Sequence, residues 1–222
     1  MSDRQTHDYE LKFEVASSAR AAVTAFLAAH CEPDPHYPHN RVVSLYYDTP
    51  DLRCLYEKRD GDRYKTKVRV RWYEDAHATT AAWIEIKRRI GSARAKVRLR
   101  TDRAPAGLIS NSAQPWSPAR ALLEQGHLCP RPLQPTLLIS YRRDRFVERY
   151  SGSRICIDSD LQYRTMSSNR SLQTRLPGYP CVMEIKGTRP DPPPAIHGLA
   201  HLGLRATSFS KYSISADAML AY

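Results

Sequence analysis

The 222-residue chain has no glycine-rich phosphate loop: neither GxxxxGK[ST] nor GxGxxG occurs, and only 9 residues are glycine. A backbone cradle for a nucleotide is thereby excluded, so any phosphate must be held by side chains. No apolar run approaches the roughly 18 residues that a membrane-spanning helix needs. The stretch from Met1 to Tyr9 is polar and lacks an apolar signal core. The five cysteines (Cys31, Cys54, Cys129, Cys156, Cys181) are odd in number and scattered, with no CxxC or Cys/His zinc spacing. They read as reduced, incidental thiols of a cytoplasmic protein. The eight histidines form no ligand pattern either and read as surface residues. Missing too is an aromatic stacking platform interleaved with basic residues at the spacing of RNA-binding motifs, which argues against a nucleic-acid partner.

What the chain does have is positive charge. A formal net charge of +11 and a pI of about 9.6 point to a polyanionic partner without choosing which. The second prominent feature is a period of two. Tyr9, Leu11, Phe13 and Val15 alternate with Glu10, Lys12 and Glu14, which predicts a strand. The same reasoning predicts strands over 42–48, 63–73, 83–89, 94–100, 136–148, 154–160 and 181–187, with Ile90-Gly91-Ser92-Ala93 as a hairpin connection. Helices are predicted from Ser17-Ser18, read as a cap, to about His30, over 118–126, and over 211–221. Proline-rich stretches at 104–118, 129–135 and 190–194, and the polar segment 164–180, read as connections. No composition break marks a second domain. One α+β domain over 1–222, mainly antiparallel β, is the expectation.

An alternating strand is ordinarily half buried, with a solvated polar face. Two of these strands resist that reading. Arg63, Lys65, Lys67, Arg69 and Arg71, with Arg94, Lys96, Arg98 and Arg100, place nine cations at alternate positions with no carboxylate among them. Like charges facing one another across strands are destabilising, and an anion seated among them relieves the repulsion. If short connections close the strands into a barrel with the charged faces inward, Arg forks and Lys point charges suit phosphate oxygens. Carboxylates on such faces (Glu10, Glu14, Glu85, Asp158, Asp160, Glu184) suit a hard divalent cation. Each has a plainer alternative. Lys12 can be one half of a surface ion pair, Glu85 can neutralise Lys87, Asp158 and Asp160 can order neighbouring arginines, and Tyr141 can be core.

Nine short segments, in order, carry a resemblance. They are Glu10-Leu11-Lys12-Phe13, Ser44-Leu45-Tyr46-Tyr47-Asp48-Thr49, Lys67-Val68-Arg69-Val70-Arg71-Trp72-Tyr73, Ile84-Glu85-Ile86-Lys87-Arg88 and Lys96-Val97-Arg98. Then follow Ser140-Tyr141-Arg142-Arg143, Arg154-Ile155-Cys156-Ile157-Asp158, Met183-Glu184-Ile185-Lys186-Gly187 and Ser208-Phe209-Ser210-Lys211-Tyr212. On these the chain resembles the VTC (vacuolar transporter chaperone) catalytic domain, a polyphosphate polymerase module of the CYTH-like triphosphate tunnel superfamily. The resemblance implies an eight-stranded antiparallel tunnel with a few flanking helices. It also implies transfer of the γ-phosphoryl of ATP to a growing polyphosphate chain, with Mn²⁺ or Mg²⁺. By position, Lys12, Arg69, Arg71, Lys87, Lys96, Arg143, Arg154 and Lys211 resemble the family's cationic catalytic residues. Tyr141 and Ser210 resemble its phosphate contacts, and Glu184, with Glu85 second, its metal ligand. One position departs: Ser208 stands where the family often carries a further basic residue, which puts grip on product or choice of acceptor in question.

Two other activities use the same residues. A tripolyphosphatase or nucleoside triphosphatase would put water in place of the phosphate acceptor and need a positioned carboxylate, from Glu10, Glu14 or Glu85. A non-catalytic polyphosphate-binding module would need only the cations. The sequence does not fix the oligomeric state.

Overall fold

All eight segments that alternate at period two are strands in the computed structural model, which describes residues 9–74, 81–101, 107, 109, 116–129, 132–166, 174–175 and 181–221. They are β1 (Tyr9–Val15), β3 (His39–Asp48), β4 (Tyr64–Glu74), β5 (Ala82–Ile90), β6 (Ala93–Thr101), β7 (Gln134–Glu148), β8 (Arg154–Thr165) and β10 (Cys181–Gly187). Three short strands join them: β2 (Cys31–Pro33), β9 (Thr174–Arg175) and β11 (Arg205–Ala206). The pairings of β1 with β10 and β11, β10 with β8, β8 with β9, β2 with β7, β3 with β4, β4 with β5 and β5 with β6 are antiparallel. The helices are α1 (Arg20–His30), α2 (Arg53–Arg59), α3 (Ala119–Glu124) and α4 (Lys211–Leu220), with 3-10 segments at Ser17–Ala19 and Pro194–Leu202. The architecture is mainly antiparallel β with a few helices.

Local chemistry explains most boundaries. Gly91 takes φ +59°, a left-handed conformation that glycine adopts without a Cβ penalty, and so closes the β5–β6 hairpin. Gly126 at φ +74° stops the chain soon after α3, and Pro118 stands at that helix's N-cap. The serine cap expected for α1 does not form. Ser17 and Ser18 are spent in the 3-10 turn, and Ala19 stands at the N-cap with no side-chain bond. Helix α2 was not predicted; Asp48 supplies its missing cap, its carboxylate accepting from the backbone N–H of Cys54 at 2.8 Å and Leu55 at 3.1 Å. The polar segment 164–180 is not wholly a connection. It begins as the end of β8 and contains β9, while 167–173 and 176–180, like most of 104–118 and the N-terminal eight residues, lie outside the described residues.

The chain divides into two compact units, each made of discontinuous stretches. The first comprises 1–40, 141–161 and 177–209, and its strand order is β11-β1-β10-β8-β7. One face of this sheet is apolar. Ile155, Ile157, Met183 and Ile185 pack with Val23 and Leu27 of α1, and with Ile196 and Leu199 of the second 3-10 segment. The other unit comprises 41–140, 162–176 and 210–222, with the order β7-β3-β4-β5-β6. Its apolar face carries Val43, Leu45 and Tyr47, then Val68, Val70 and Trp72, then Ile84 and Ile86, with Leu122 of α3 against them. Each fully buried aliphatic side chain contributes roughly 1.5–3 kcal/mol to such a core. Neither sheet, taken by itself, closes into a ring by strand pairing among the described residues; β6 and β11 are edges of their respective units.

Candidate functional site

In the second unit the polar face of the sheet is withdrawn from water as well. Ser44 is 0%, Tyr46 6%, Arg71 8% and Glu85 3% exposed, so this face is not the solvated side of an ordinary half-buried sheet. Register aligns the groups. Tyr46 of β3 faces Arg69 of β4, Arg69 faces Glu85 of β5, and Glu85 faces Arg98 of β6. Across this row Arg69 donates to Glu85 Oε2 through Nε at 2.8 Å and also through Nη2, and to the Tyr46 hydroxyl through Nη1 at 3.0 Å. Arg98 approaches the other Glu85 oxygen at 3.7 Å. One residue pair along, Arg71 faces Ser44 and donates to its hydroxyl at 3.2 Å. On the other side of the row Lys67, Lys87 and Lys96 face one another in sequence across β4, β5 and β6, and Lys67 donates to Ser210 Oγ at 2.8 Å. Ser210 is the N-cap of α4, where its side chain also accepts from the Ser213 N–H; Lys211 is the helix's first residue.

Charge imbalance sets the electrostatics of this face. Six named cations (Lys67, Arg69, Arg71, Lys87, Lys96, Arg98) stand against the single carboxylate of Glu85. Burial pushes the Glu85 carboxyl up, but Arg69 and Arg71 outweigh it and hold its pKa at about 2. Tyr46 shows the same field more sharply. Burial disfavours its phenolate, yet Arg69, Arg71 and Lys67 draw its pKa down from 10 to about 7. Below that pH the phenol is neutral; above it the phenolate forms, stabilised by the cations around it. Absorbance at 295 nm is therefore expected to show one tyrosine ionising near neutral pH, absent in Tyr46→Phe. Adding inorganic tripolyphosphate should move that titration upward, since phosphate oxygens would then neutralise the cations. A titration unaltered in Tyr46→Phe would contradict this assignment.

The first unit's polar face is built differently. Register rows run Lys12–Glu184–Cys156 and Glu10–Lys186–Arg154 across β1, β10 and β8. Arg143 of β7 grips Asp158 with both prongs, Nε at 2.6 Å and Nη2 at 2.7 Å, and lies 3.9 Å from Glu184. Its guanidinium also sits over the ring of buried Tyr141, 5.4 Å from the centroid. Lys186 is 2.6 Å from Glu184 and 3.9 Å from Glu10. Burial disfavours its ammonium, but Glu184 and Glu10 more than compensate and raise its pKa. Glu10 is pushed up by burial and by Glu184, and Lys12 and Lys186 together carry it below its usual value. Lys12 bonds Glu10 at 2.8 Å and reaches the Phe209 carbonyl at 3.4 Å. Lys12, Arg143 and Lys186 balance Glu10, Asp158 and Glu184, so this cluster carries no net charge.

The residues singled out from sequence thus fall into two groups. Lys12, Tyr141, Arg143 and Glu184 converge in the first unit. Arg69, Arg71, Glu85 and Ser210 are buried or partly buried in the second. Lys87 and Lys96 lie on the same face as Arg69 but are exposed. Arg154 is also outlying, with its side chain 54% exposed and 3.5 Å from Asp34. Glu85, read from sequence either as a metal ligand or as the neutraliser of Lys87, faces Arg69 in strand register and accepts its hydrogen bonds. Sequence reasoning missed Lys186 and Tyr46 as members of these clusters; Lys67 stood among the nine alternating cations without a site role of its own. Alternation alone could have found them, since Lys186 is two residues from Glu184 and Tyr46 two from Ser44. No three His, Cys, Asp or Glu side chains among the described residues gather as a ready-made metal cage.

The VTC domain family's profile matches residues 7–220. The chain belongs to the VTC domain family. The resemblance carried by the nine short segments therefore holds. Solved structures show the same fold at low identity. A proposed adenylate cyclase from Bacillus halodurans superposes with a TM-score of 0.54 at 15% identity, covering 90% of this chain and 92% of that one. A proposed adenylate cyclase from Vibrio parahaemolyticus gives 0.53 at 13%, covering 96% and 99%. A proposed adenylyl cyclase from Hippeastrum, described as having a dominant triphosphatase activity, gives 0.53 at 16%, covering 94% and 95%. No curated protein matches the chain in sequence. No helix among the described residues of this VTC domain is long and apolar enough to cross a membrane.

Proposed function

We propose that this VTC domain is a phosphotransferase that moves the γ-phosphoryl of ATP onto phosphate or a growing polyphosphate chain. The observation that carries the reading is the second unit's polar face, where buried Arg71, partly buried Lys67 and Arg69, and exposed Lys87, Lys96 and Arg98 stand against the one carboxylate of Glu85. Phosphoryl transfer asks little covalent chemistry of a protein; positioning the chain and neutralising the oxygens lower the barrier. Arg69, Arg71 and Lys67 hold oxygens of a phosphate chain along the β4 direction, and Ser210 with Lys211 contacts it from the start of α4. Lys87 and Lys96, nearer solvent, extend the same row outward.

The carboxylates favour transfer over hydrolysis. Water needs a base, and each carboxylate of the two clusters is already committed to cations: Glu85 to Arg69, Asp158 to Arg143, Glu184 to Lys186 and Glu10 to Lys12. With its pKa at about 2, Glu85 is a feeble proton acceptor. A phosphate or polyphosphate acceptor arrives already anionic and needs no such base.

The family's divalent ion, Mn²⁺ or Mg²⁺, is compatible with Glu184 and Glu10. They are hard oxygen donors on neighbouring strands, and the Lys186 ammonium between them marks a position where a cation is favoured. When bound, the ion would neutralise phosphate oxygens. Glu85 fits this role less well, since Arg69 binds one of its oxygens with two prongs and Arg98 approaches the other, whereas Arg143 lies 3.9 Å from the second oxygen of Glu184. The base and ribose of ATP stay outside these clusters, and nucleotide identity is read loosely.

Purified protein incubated with ATP and Mn²⁺ should yield a ladder of polyphosphate on a gel, and Glu184→Ala should lower its yield severely. Orthophosphate as the sole product would make the protein a triphosphatase. Unchanged ATP, with polyphosphate bound regardless of Glu184, would make it a binding module.

A further inference from the structure

On the opposite face of the second unit's sheet from Arg69 and Arg71 lies a cavity of about 270 Å³. Strand alternation places Arg41 there, on the side of Val43 and Leu45 rather than that of Ser44 and Tyr46. The floor is apolar, from Val43 and Leu138, and Arg164 of β8 stands in the wall. The Nε of Arg164 is buried and has no hydrogen-bond partner. A buried guanidinium N–H left unmade is costly, and native proteins seldom tolerate one without a ligand or water to accept it.

The other polar groups are arranged as if around a missing acceptor. Arg41 Nη2 donates to Ser140 Oγ and to Gln162 Oε1, both at 2.7 Å. Ser140 is 7% exposed; having accepted from Arg41, its hydroxyl keeps a proton to donate. The carboxylate in the lining, Glu74, is half exposed and 3.5 Å from Arg41 Nε. Two guanidiniums against one carboxylate leave a single positive charge for an occupant to neutralise.

We infer that this cavity is a second ligand site, for a small organic anion with one oxyanion group on an apolar body: a carboxylate or a phosphomonoester. The oxyanion accepts from Arg164 Nε and Ser140 Oγ, and the body lies on Val43 and Leu138. The guanidinium fork matches either head group, and the volume suits a body of one ring. The site is independent of the phosphate-chain reading, because its residues and those of the charged face lie on opposite sides of the sheet.

Ligand-observed NMR and thermal shift on the full chain test it, with phenyl phosphate, benzoate and inorganic phosphate as probes, each with and without excess inorganic tripolyphosphate. One or both ring-bearing probes are expected to bind about tenfold or more tighter than inorganic phosphate and to stay bound when tripolyphosphate is added. The one that binds identifies the head group. Arg164→Gln should weaken binding about tenfold or more. Arg164→Lys keeps the charge but lacks the Nε–H and should weaken it as well, so the test survives if the glutamine variant does not fold. The inference fails if no probe binds at millimolar concentration, if tripolyphosphate displaces the probes, or if binding persists in the Arg164 variants.

Discussion

Arg69→Ala is expected to lower polymer synthesis by about two to three orders of magnitude, the usual cost of removing one preorganised donor from a transition state that gathers negative charge. Stability should fall too, for a separate reason. The substitution strips Glu85, which is 3% exposed, of its two-pronged partner and leaves a buried carboxylate with Arg98 at 3.7 Å and the fields of Arg71 and Lys96. Breaking one side of a buried pair costs about 3–5 kcal/mol, and the remaining arginine puts this case near the lower end. The two effects separate in Arg69→Met/Glu85→Met. Apolar side chains of similar length remove both charges, so urea unfolding should return close to wild type while activity stays lost. Activity recovering together with stability would mean that Arg69 only supports the sheet.

Asp48→Ala is expected to be the most destabilising single change in the second unit. Asp48 is fully buried and accepts from the backbone N–H groups of Thr49, Cys54 and Leu55 at 2.8, 2.8 and 3.1 Å. It also accepts from the Tyr212 hydroxyl at 2.5 Å. The alanine leaves these donors unpaired, at about 1–3 kcal/mol each and less than additively, for a total above about 4 kcal/mol. At about 2–4 °C per kcal/mol for a chain this size, the melting temperature should drop by about 10 °C or more. The loss reaches function through α4. Tyr212 stacks on Tyr46, with ring centroids 4.9 Å apart, and the helix begins at Ser210, which takes the Lys67 hydrogen bond. Tyr212→Phe removes one bond only. It should cost about 1 kcal/mol and weaken tripolyphosphate binding several-fold less than Asp48→Ala. Equal effects of the two variants on stability would contradict the role given to Asp48.

Period two made the eight long strands legible, because a sheet with one apolar face repeats its pattern every second residue whatever its partners. Pairing is a different matter. That Glu85 answers Arg69 rather than Lys87 is decided by the β4–β5 register, which no local pattern carries. Exposure is not carried by local pattern either: Lys87 and Lys96 read like Arg69 in sequence but are exposed, while Glu85, on the same strand and face as Lys87, is 3% exposed. Helix α2 escaped notice because seven residues give too little period to read. Its signal was instead a single Asp48 several residues upstream, acting through hydrogen bonds. The serines before α1 looked like a cap and became a 3-10 turn, a choice made by the chain's path rather than by propensity. The cations of the site were legible as a set, and their division into a charged cluster and a balanced one was not.

Isothermal titration with inorganic tripolyphosphate, at low and at high salt, measures most directly whether the buried cations of β4 hold a row of phosphoryl groups. The wild-type chain should bind it saturably, with affinity falling as salt rises, and Arg69→Met/Glu85→Met should lose most of that affinity while remaining folded. Absence of binding at millimolar tripolyphosphate, or equal affinity in the folded double variant, would contradict the account.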